Sequence, residues 1–292
     1  MIAGRRRLAA LACAALLWAL PVAAAERPTV TWHPAKPHLG DVAWVHVQGP
    51  GNAAAIEGVL GSRTLTFFPY AGGQAAVVGI DLETKPGVEG WRLAILEPGR
   101  EPRKLTGRVT IQRRDFPVQK LTLPTGMVDL DPETERRAVS EGERLRTLYG
   151  TITPERLWRG HFVRPVAGHE PPNGFGARRI INGKPRAPHG GTDYAAERGT
   201  PVVATNSGRV ALVADFFFPG RLVVVDHGLG LYTLYFHLDS VAVTDGEMVD
   251  RGQRLGTVGA TGRATGPHLH FGAQVAGARI DPAALLSLDV RE

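Results

Sequence analysis

The stretch HGGTDYAAERGTPVVA, residues 189–204, indicates how the C-terminal half of the chain is folded. Gly190 and Gly191 argue against a helix through His189, because glycine is a poor helix former. Extended or looped backbone is therefore predicted, and in a strand the positions i and i+4 share a face. His189 and Asp193 can then converge on one point. By itself the pair is either a set of metal ligands or an ordinary polar turn.

Length and composition bound the class of protein. The 292 residues suggest about two domains, and an apolar content of 43% is enough to bury a core. The 36 glycines and 22 prolines indicate many turns and therefore a mainly β fold. The formal net charge of +6 falls to +3 once the three arginines of residues 1–25 are set aside. That charge is too mild to indicate a nucleic-acid partner, and no basic tract with interleaved aromatic residues occurs.

The N-terminus has the pattern of a secretory signal peptide over residues 1–25. Three arginines at 5–7 precede an apolar run, and Ala23-Ala24-Ala25 closes it. An uncleaved membrane anchor is the alternative, since the run is close to spanning length. Pro21 and the small residues favour cleavage. Either interpretation places the rest of the chain outside the cytoplasm, with membrane association only if the segment stays uncleaved.

Residues 26–115 are predicted to form an immunoglobulin-like β-sandwich. Short apolar segments alternate there with Gly/Pro turns, which is typical of that fold. The predicted strands are Thr29–Trp32, Val42–Val47, Thr64–Phe68, Ala75–Leu82, Trp91–Leu96 and Gly107–Gln112. The histidines of this region are scattered, and we interpret them as surface or satisfied side chains.

A linker with one helix is predicted over residues 116–159. Asp131 is a suitable N-cap, Pro132 suits the first helical position and Gly150 is a natural stop. The apolar stripe is thin, with Val139, Leu145 and Leu148. This favours a solvated linker helix over an element that covers an active site.

Residues 160–292 form the second predicted domain, where histidines cluster. In GPHLHFGAQV, residues 266–275, strand alternation places His268 and His270 on one face and Leu269 and Phe271 on the other. Two imidazoles on one face suit metal binding or acid–base chemistry, although two surface histidines can also occur by chance.

The segment LYTLYFHL, residues 231–238, contains a further histidine of this domain. Leu222–Val225 and Leu231–His237 are predicted to pair as a hairpin. Alternation then puts Tyr235 and His237 on the polar face, opposite the apolar side chains of Tyr232, Leu234, Phe236 and Leu238. Alone, His237 is most simply an ordinary surface histidine.

Together these signals favour a catalytic zinc site. The only cysteine, Cys13, lies in the signal segment, so a metal site must use His, Asp or Glu. Catalytic zinc takes three protein ligands, leaves a position for water and needs a base nearby, whereas structural zinc uses four ligands and usually cysteine. Spacing does not decide which histidine of the HLH pair binds metal.

The motifs HGGTD (189–193), GTPVVA (199–204), YFHL (235–238) and TGPHLHF (265–271) resemble the lysostaphin/LytM-type zinc peptidases of family M23. These enzymes cut cell-wall peptide bridges, and the resemblance covers roughly the last 130 residues. It implies an antiparallel β-sheet peptidase domain. The family often has an acidic residue after HLHF, where this chain has Gly272.

The resemblance also implies residue roles. His189, Asp193 and His270 would ligate Zn²⁺, and His268 and His237 would form the catalytic pair. Tyr235 is then a candidate for contacting the substrate or the oxyanion, since it shares the predicted polar face of His237. His227, in the turn before the motif, is interpreted as structural.

The implied function is a secreted zinc-dependent peptidoglycan endopeptidase whose substrates are stem-peptide cross-links. D-alanyl–diaminopimelate bonds are favoured over glycyl bridges. The alternative is a non-catalytic or latent LytM-type regulator that binds the wall and activates other hydrolases. An envelope protein is a candidate partner of the N-terminal domain.

A basic group precedes the HGGTD motif: Arg178, Arg179, Lys184 and Arg186. These side chains either meet carboxylates of the stem peptide or belong to a solvated turn. Of these two interpretations we expect the solvated turn.

Overall fold

The computed structural model describes residues 27–49, 54–170 and 174–290. The predicted signal peptide, including Cys13, lies outside these residues. In the part of the chain that is described, no helix combines the length and apolar character needed to cross a membrane. The fold is mainly β, as predicted, with a sandwich followed by a helix and a larger antiparallel sheet.

The N-terminal half is a sandwich of two four-stranded antiparallel sheets, with strand orders β1-β2-β6-β5 and β4-β3-β7-β8. The strands are β1 (Thr29–His33), β2 (Val42–Gln48), β3 (Ala55–Leu60), β4 (Arg63–Leu65), β5 (Phe67–Tyr70), β6 (Gly73–Gly79), β7 (Gly87–Leu96) and β8 (Arg103–Ile111). Labelled A to G with C′ as β4, these orders are ABED and C′CFG, which is the immunoglobulin arrangement. The prediction of an immunoglobulin-like sandwich is confirmed.

Two details of the predicted sandwich are wrong. Thr64–Phe68 is not one strand, because β4 and β5 belong to different sheets and the chain crosses between them at Thr66. Strand β3 was not predicted, since Gly58 interrupts its apolar pattern. A Cβ at Gly58 would lie 2.6 Å from Leu93 Cδ2 and 2.8 Å from Phe67 Cε2, so close packing requires glycine there.

The C-terminal half is built on a nine-stranded antiparallel sheet whose main path is β12-β19-β16-β15-β14-β17, with β13, β18 and β20 attached. A smaller sheet, β11-β10-β9, precedes it. The strands are β9 (Val118–Leu121), β10 (Arg178–Ile181), β11 (Lys184–Pro185), β12 (Gly191–Tyr194), β13 (Pro201–Val203), β14 (Gly208–Phe216), β15 (Gly220–Asp226), β16 (Leu231–Val241), β17 (Met248–Val249), β18 (Arg254–Val258), β19 (Leu269–Val275) and β20 (Ala278–Ile280). The predicted hairpin is confirmed as β15 and β16, which pair antiparallel.

The linker helix α1 spans Pro132–Tyr149 and has the predicted caps. The Asp131 carboxylate accepts hydrogen bonds from two backbone N–H groups of the first turn, and Gly150 is the C-cap. The helix is not a free solvated linker, however. Leu145, Leu148 and Tyr149 pack on the apolar outer face of the large sheet, while Val139 is 56% exposed. A short second helix, α2 (Pro282–Leu286), closes the described chain.

The two halves share an apolar core. Phe68 and Val77 of the sandwich pack in one cluster with Trp158, Val275 and other residues of the C-terminal half. Two polar contacts border this cluster: Arg279 donates to both oxygens of Asp81, and Arg114 donates to Asp281. The sandwich is therefore packed firmly against the sheet that carries the predicted site.

His227 is a buried structural histidine, as predicted. Its Nδ1–H donates to the backbone oxygen of Ser207 at 2.8 Å, so Nε2 accepts from the Thr233 hydroxyl at 2.7 Å. Thr233 in turn contacts the hydroxyl of Tyr235, which lies in the core. Burial lowers the pKa of His227 to about 4, so the ring is neutral in the folded protein at neutral pH.

This pKa predicts a pH-dependent stability. The unfolded state has a histidine pKa near 6.5 and binds the proton first as pH falls, so stability is lost between about pH 6.5 and pH 4. The loss attributable to His227 is on the order of 3 kcal/mol. In urea unfolding measured across this range, we expect His227→Gln to flatten the slope. The exposed-site variant His161→Gln serves as control, and equal slopes for His227→Gln and wild type would contradict the assignment.

Candidate metal centre

The pairing of β12 with β19 brings the first donors together. Asp193 is the register partner of His270, and Gly191 is the partner of Gly272. A Cβ on Gly191 would lie 2.8 Å from His270 Nε2 and 2.4 Å from the Phe271 backbone oxygen. The second glycine of HGGTD is therefore required for the His270 ring to lie flat beside β12.

Three donor atoms converge at this place. His189 Nε2 lies 3.1 Å from Asp193 Oδ1, His270 Nδ1 lies 2.8 Å from the same oxygen, and the two ring nitrogens are 3.0 Å apart. The structure thus brings His189, Asp193 and His270 into one group of the kind that can hold a metal ion.

The orientation of His189 suits a metal ligand. Its ring is 3% exposed, and Nδ1 donates to the Gly174 backbone oxygen at 2.9 Å. This leaves the Nε2 lone pair directed at the other two donors. A histidine that binds a metal usually donates its second N–H in this way, because the hydrogen bond fixes both tautomer and ring orientation.

The electrostatics of the group also suit a cation. Burial alone would raise the pKa of the Asp193 carboxyl, but hydrogen bonds from His189 and His270 hold it well below its usual range. Burial lowers the pKa of His270. The carboxylate is therefore ionised and the His270 imidazole neutral near pH 7, and these are the protonation states that bind metal.

The donor set fits zinc. Ligands at about 2.0–2.1 Å in a tetrahedral arrangement lie roughly 3.3 Å apart, close to the separations of these three atoms. Within the described residues the group contains three donors and no fourth His, Asp, Glu or Cys. Three protein ligands with a remaining position are typical of catalytic rather than structural zinc.

His237 and His268 lie beside the donor group. Their ring centroids are 4.7 Å apart, His237 is 6.1 Å from the His270 ring, and His268 Nε2 is 4.0 Å from Asp193 Oδ1. Each Nδ1–H donates to a backbone oxygen, that of Thr261 for His237 and that of Gly266 for His268. Both Nε2 atoms therefore remain as proton acceptors. Burial, assisted by the neighbouring histidines, lowers the pKa of His237 to about 4.

A β-bulge in β16 directs His237 to this face. Arg221 pairs with Leu238 but Val223 pairs with Tyr235, so Phe236 and His237 together oppose a single residue of β15. The φ angle of His237 is +62°, in the left-handed region. Simple strand alternation fails at this point, because the extra residue reverses the faces that follow it.

The bulge makes the expectation for Tyr235 wrong. Tyr235 is fully buried, and its hydroxyl accepts from the Thr205 backbone N–H at 3.0 Å. It lies on the core face and cannot contact a substrate. Phe236, predicted to be a core residue, instead stacks on the His270 ring with 5.3 Å between centroids. Its direct pairing with His270 across β16 and β19 explains this contact.

The solvated-turn interpretation is also wrong for Arg179. Its Nη2 atom lies 3.5 Å from Asp193 Oδ2, and its side chain is only 22% exposed. Arg178 and Arg186 are exposed, and Lys184 forms an exposed ion pair with Asp129, as a solvated turn requires. Strand alternation in β10 places Arg178 and Arg179 on opposite faces, but the sequence of the strand does not reveal which of the two side chains points towards the site.

Comparison with known proteins identifies the family. The family model described as Peptidase family M23 matches residues 187–282, which include the three donors and both neighbouring histidines. A crystal structure of a protein from Pseudomonas aeruginosa assigned to peptidase M23 is 31% identical, with a TM-score of 0.66. The match covers 86% of this chain and 95% of that one. The chain belongs to peptidase family M23.

Curated relatives match this M23 chain over shorter lengths. The peptidoglycan DD-endopeptidase ShyA of Vibrio cholerae is 47% identical over 85 residues, which cover 29% of this chain and 20% of that protein. The peptidoglycan DD-endopeptidase ShyC of the same species is 38% identical over 130 residues, covering 44% of this chain and 30% of that protein. The matched region thus spans less than a third of either relative.

The donor geometry predicts that the purified chain binds one zinc ion per molecule. We expect His270→Ala to weaken zinc binding by at least roughly 100-fold, since loss of a second-shell partner alone costs 10- to 100-fold. Zinc content after dialysis and competition with a chromogenic chelator would measure this. His161→Ala, at an exposed histidine outside the group, is the control. Unchanged affinity in His270→Ala would rule out this donor set.

Proposed function

We propose that this M23 chain is a secreted, zinc-dependent peptidoglycan endopeptidase that hydrolyses D-alanyl–diaminopimelate cross-links of the cell wall. The observation that carries the proposal is the convergence of three metal donors with two histidines whose Nε2 atoms are free to accept protons. The names of the curated relatives, peptidoglycan DD-endopeptidases, support the choice of substrate.

In the proposed mechanism His189, Asp193 and His270 would hold the zinc ion. Zinc bound to three such ligands acts as a Lewis acid towards a carbonyl and makes water nucleophilic near neutral pH. Gly174 keeps His189 in the required tautomer, and Phe236 restricts the His270 ring by stacking. The chain thereby presents a donor set that needs little rearrangement.

In the proposed mechanism His237 and His268 transfer the proton that the attacking water loses. With a pKa of about 4, His237 is neutral at pH 7, and its single ring N–H, on Nδ1, already donates to the Thr261 backbone oxygen. Its Nε2 can therefore only accept until a proton has been transferred to it. In our assignment the histidine pair takes a proton from the attacking water and then gives it to the leaving amine. The protonated ring formed between these steps can also stabilise the oxyanion.

The alternative of a non-catalytic regulator receives no support from the site. All five side chains that the proposed chemistry needs are present and converge. The proposed location is the periplasm or cell envelope, in keeping with peptidoglycan as substrate. The sandwich packs on the C-terminal half through its β1-β2-β6-β5 sheet. We propose that the rest of the sandwich surface contacts an envelope protein.

Digestion of cross-linked peptidoglycan tests the proposal. We expect the full mature chain to convert cross-linked muropeptide dimers to monomers, with new D-alanyl carboxyl ends and diaminopimelate amino ends identified by mass spectrometry. Chelator treatment and His270→Ala should each abolish the conversion. Intact dimers with zinc-loaded wild type would refute the endopeptidase function, and cleavage elsewhere would refute the bond assignment.

A second variant separates proton transfer from metal binding. We expect His237→Ala to retain zinc but to lose roughly 100-fold or more in kcat, because general acid–base groups contribute typically 10²–10⁴-fold. Zinc content and steady-state rates on the same preparation would be compared with those of His161→Ala, at an exposed histidine outside the group. A variant that keeps its kcat would remove His237 from the catalytic pair.

A further inference from the structure

Three arginines from separate segments gather beside the donor group. Arg179 lies in β10, Arg186 follows β11, and Arg263 lies in the loop between β18 and β19. Arg179 Nη2 is 3.5 Å from Asp193 Oδ2, and the Arg186 backbone N–H donates to the Arg179 backbone oxygen. Burial, and then the charges of Arg179 and Arg186, lower the pKa of Arg263. We refer to these three residues as the arginine site.

The positive charge of the arginine site exceeds the negative charge that faces it. Among the described residues, Asp193 is the only carboxylate that forms an ion pair with any of the three. Arg186 reaches the backbone oxygen of Val128 at 3.5 Å, and the Arg263 guanidinium lies 4.1 Å above the Phe218 ring. Grouping these cations, of which Arg179 and Arg263 are partly buried, costs free energy unless an anion joins them. The arrangement is therefore suited to receive an anion.

The arginine site adjoins the residues that would carry out the reaction. The loop that contains Arg263 also contains Thr261, whose backbone oxygen accepts a hydrogen bond from His237 Nδ1–H. The Arg263 backbone N–H donates to the Phe218 oxygen, which holds the loop in place. Arg179 contacts the donor group itself, at Asp193. An anion bound between Arg179 and Arg263 would thus lie next to the scissile bond.

We propose that the arginine site binds the carboxylate next to the scissile amide of a D-alanyl–diaminopimelate cross-link, an inference that rests on the proposed endopeptidase function. In this cross-link the amide nitrogen is attached to a carbon that also carries a free carboxylate. An amide inside a glycyl bridge has no such group. Guanidinium groups bind carboxylates with paired, charge-assisted hydrogen bonds. The arginine site therefore selects diaminopimelate cross-links over glycyl bridges.

Two synthetic cross-linked peptides test this inference on the full mature chain. They are identical except that the carboxylate next to the scissile amide is free in one and amidated in the other. We expect wild type to prefer the free acid by roughly 10- to 100-fold in kcat/KM, mainly through KM, as hydrogen bonds to charged groups imply. Arg263→Gln should abolish most of this preference by weakening binding of the free acid, and Arg263→Lys should retain part of it.

Arg209→Gln is the matched control. Arg209 is exposed in β14, where it pairs with Asp226 at the end of the hairpin remote from His237. This variant should keep the full preference. Zinc content and thermal midpoint of all variants should equal those of wild type, because none of the substituted side chains contacts the donor atoms.

The outcomes separate this inference from the function on which it rests. If wild type cleaves both peptides equally well, the arginine site does not read the carboxylate, although the endopeptidase function stands. If neither peptide is cleaved, the function fails, and calorimetric binding of the same intact peptides decides the inference. A free-acid preference that is lost in Arg263→Gln would then support carboxylate binding, and equal binding of both peptides would overturn it.

Discussion

The antiparallel pairing of β12 with β19 is the constraint on which the whole site depends. It places Asp193 opposite His270, and the side chains of Leu269 and Phe271, which flank His270 in β19, point the other way into the core. A slip of one residue would send the donors inwards and bring Leu269 and Phe271 to the surface. Because the side chains of Leu269 and Phe271 are fully buried, the hydrophobic effect that folds the sheet also fixes the separation of the donors.

Much of this arrangement follows from local sequence rules. Strand alternation in HLHF correctly separates the histidines from the core residues, and Asp131, Pro132 and Gly150 correctly mark the ends of the helix. Recurrent Gly/Pro turns identify the sandwich, because the residues that specify a turn lie within a few positions of one another in the sequence. Choosing His270 rather than His268 as the third donor needed the resemblance, because both histidines share one face of the strand.

What the sequence does not reveal depends on contacts between distant segments. The bulge before Leu238 is defined by its pairing with β15, so its effect on Tyr235 and His237 is invisible in β16 alone. The approach of Arg179 to Asp193 depends on how a parallel pair of short strands, β9 and β10, lies beside the main sheet. Gly58 made β3 unrecognisable in the sequence. Glycine is required there by the ring of Phe67, which belongs to the other sheet of the sandwich.

The shared core between the halves bears on where the chain can be divided. Trp158 is almost fully buried, touches Phe68 of the sandwich and Phe162 of the sheet half, and precedes the point at which a sequence-based boundary would be drawn. A C-terminal fragment cut there would lose this indole and expose Val275 and Leu231 to water. Recombinant work and domain exchange among family members should therefore keep the sandwich together with the C-terminal half, because the two halves bury one apolar cluster between them.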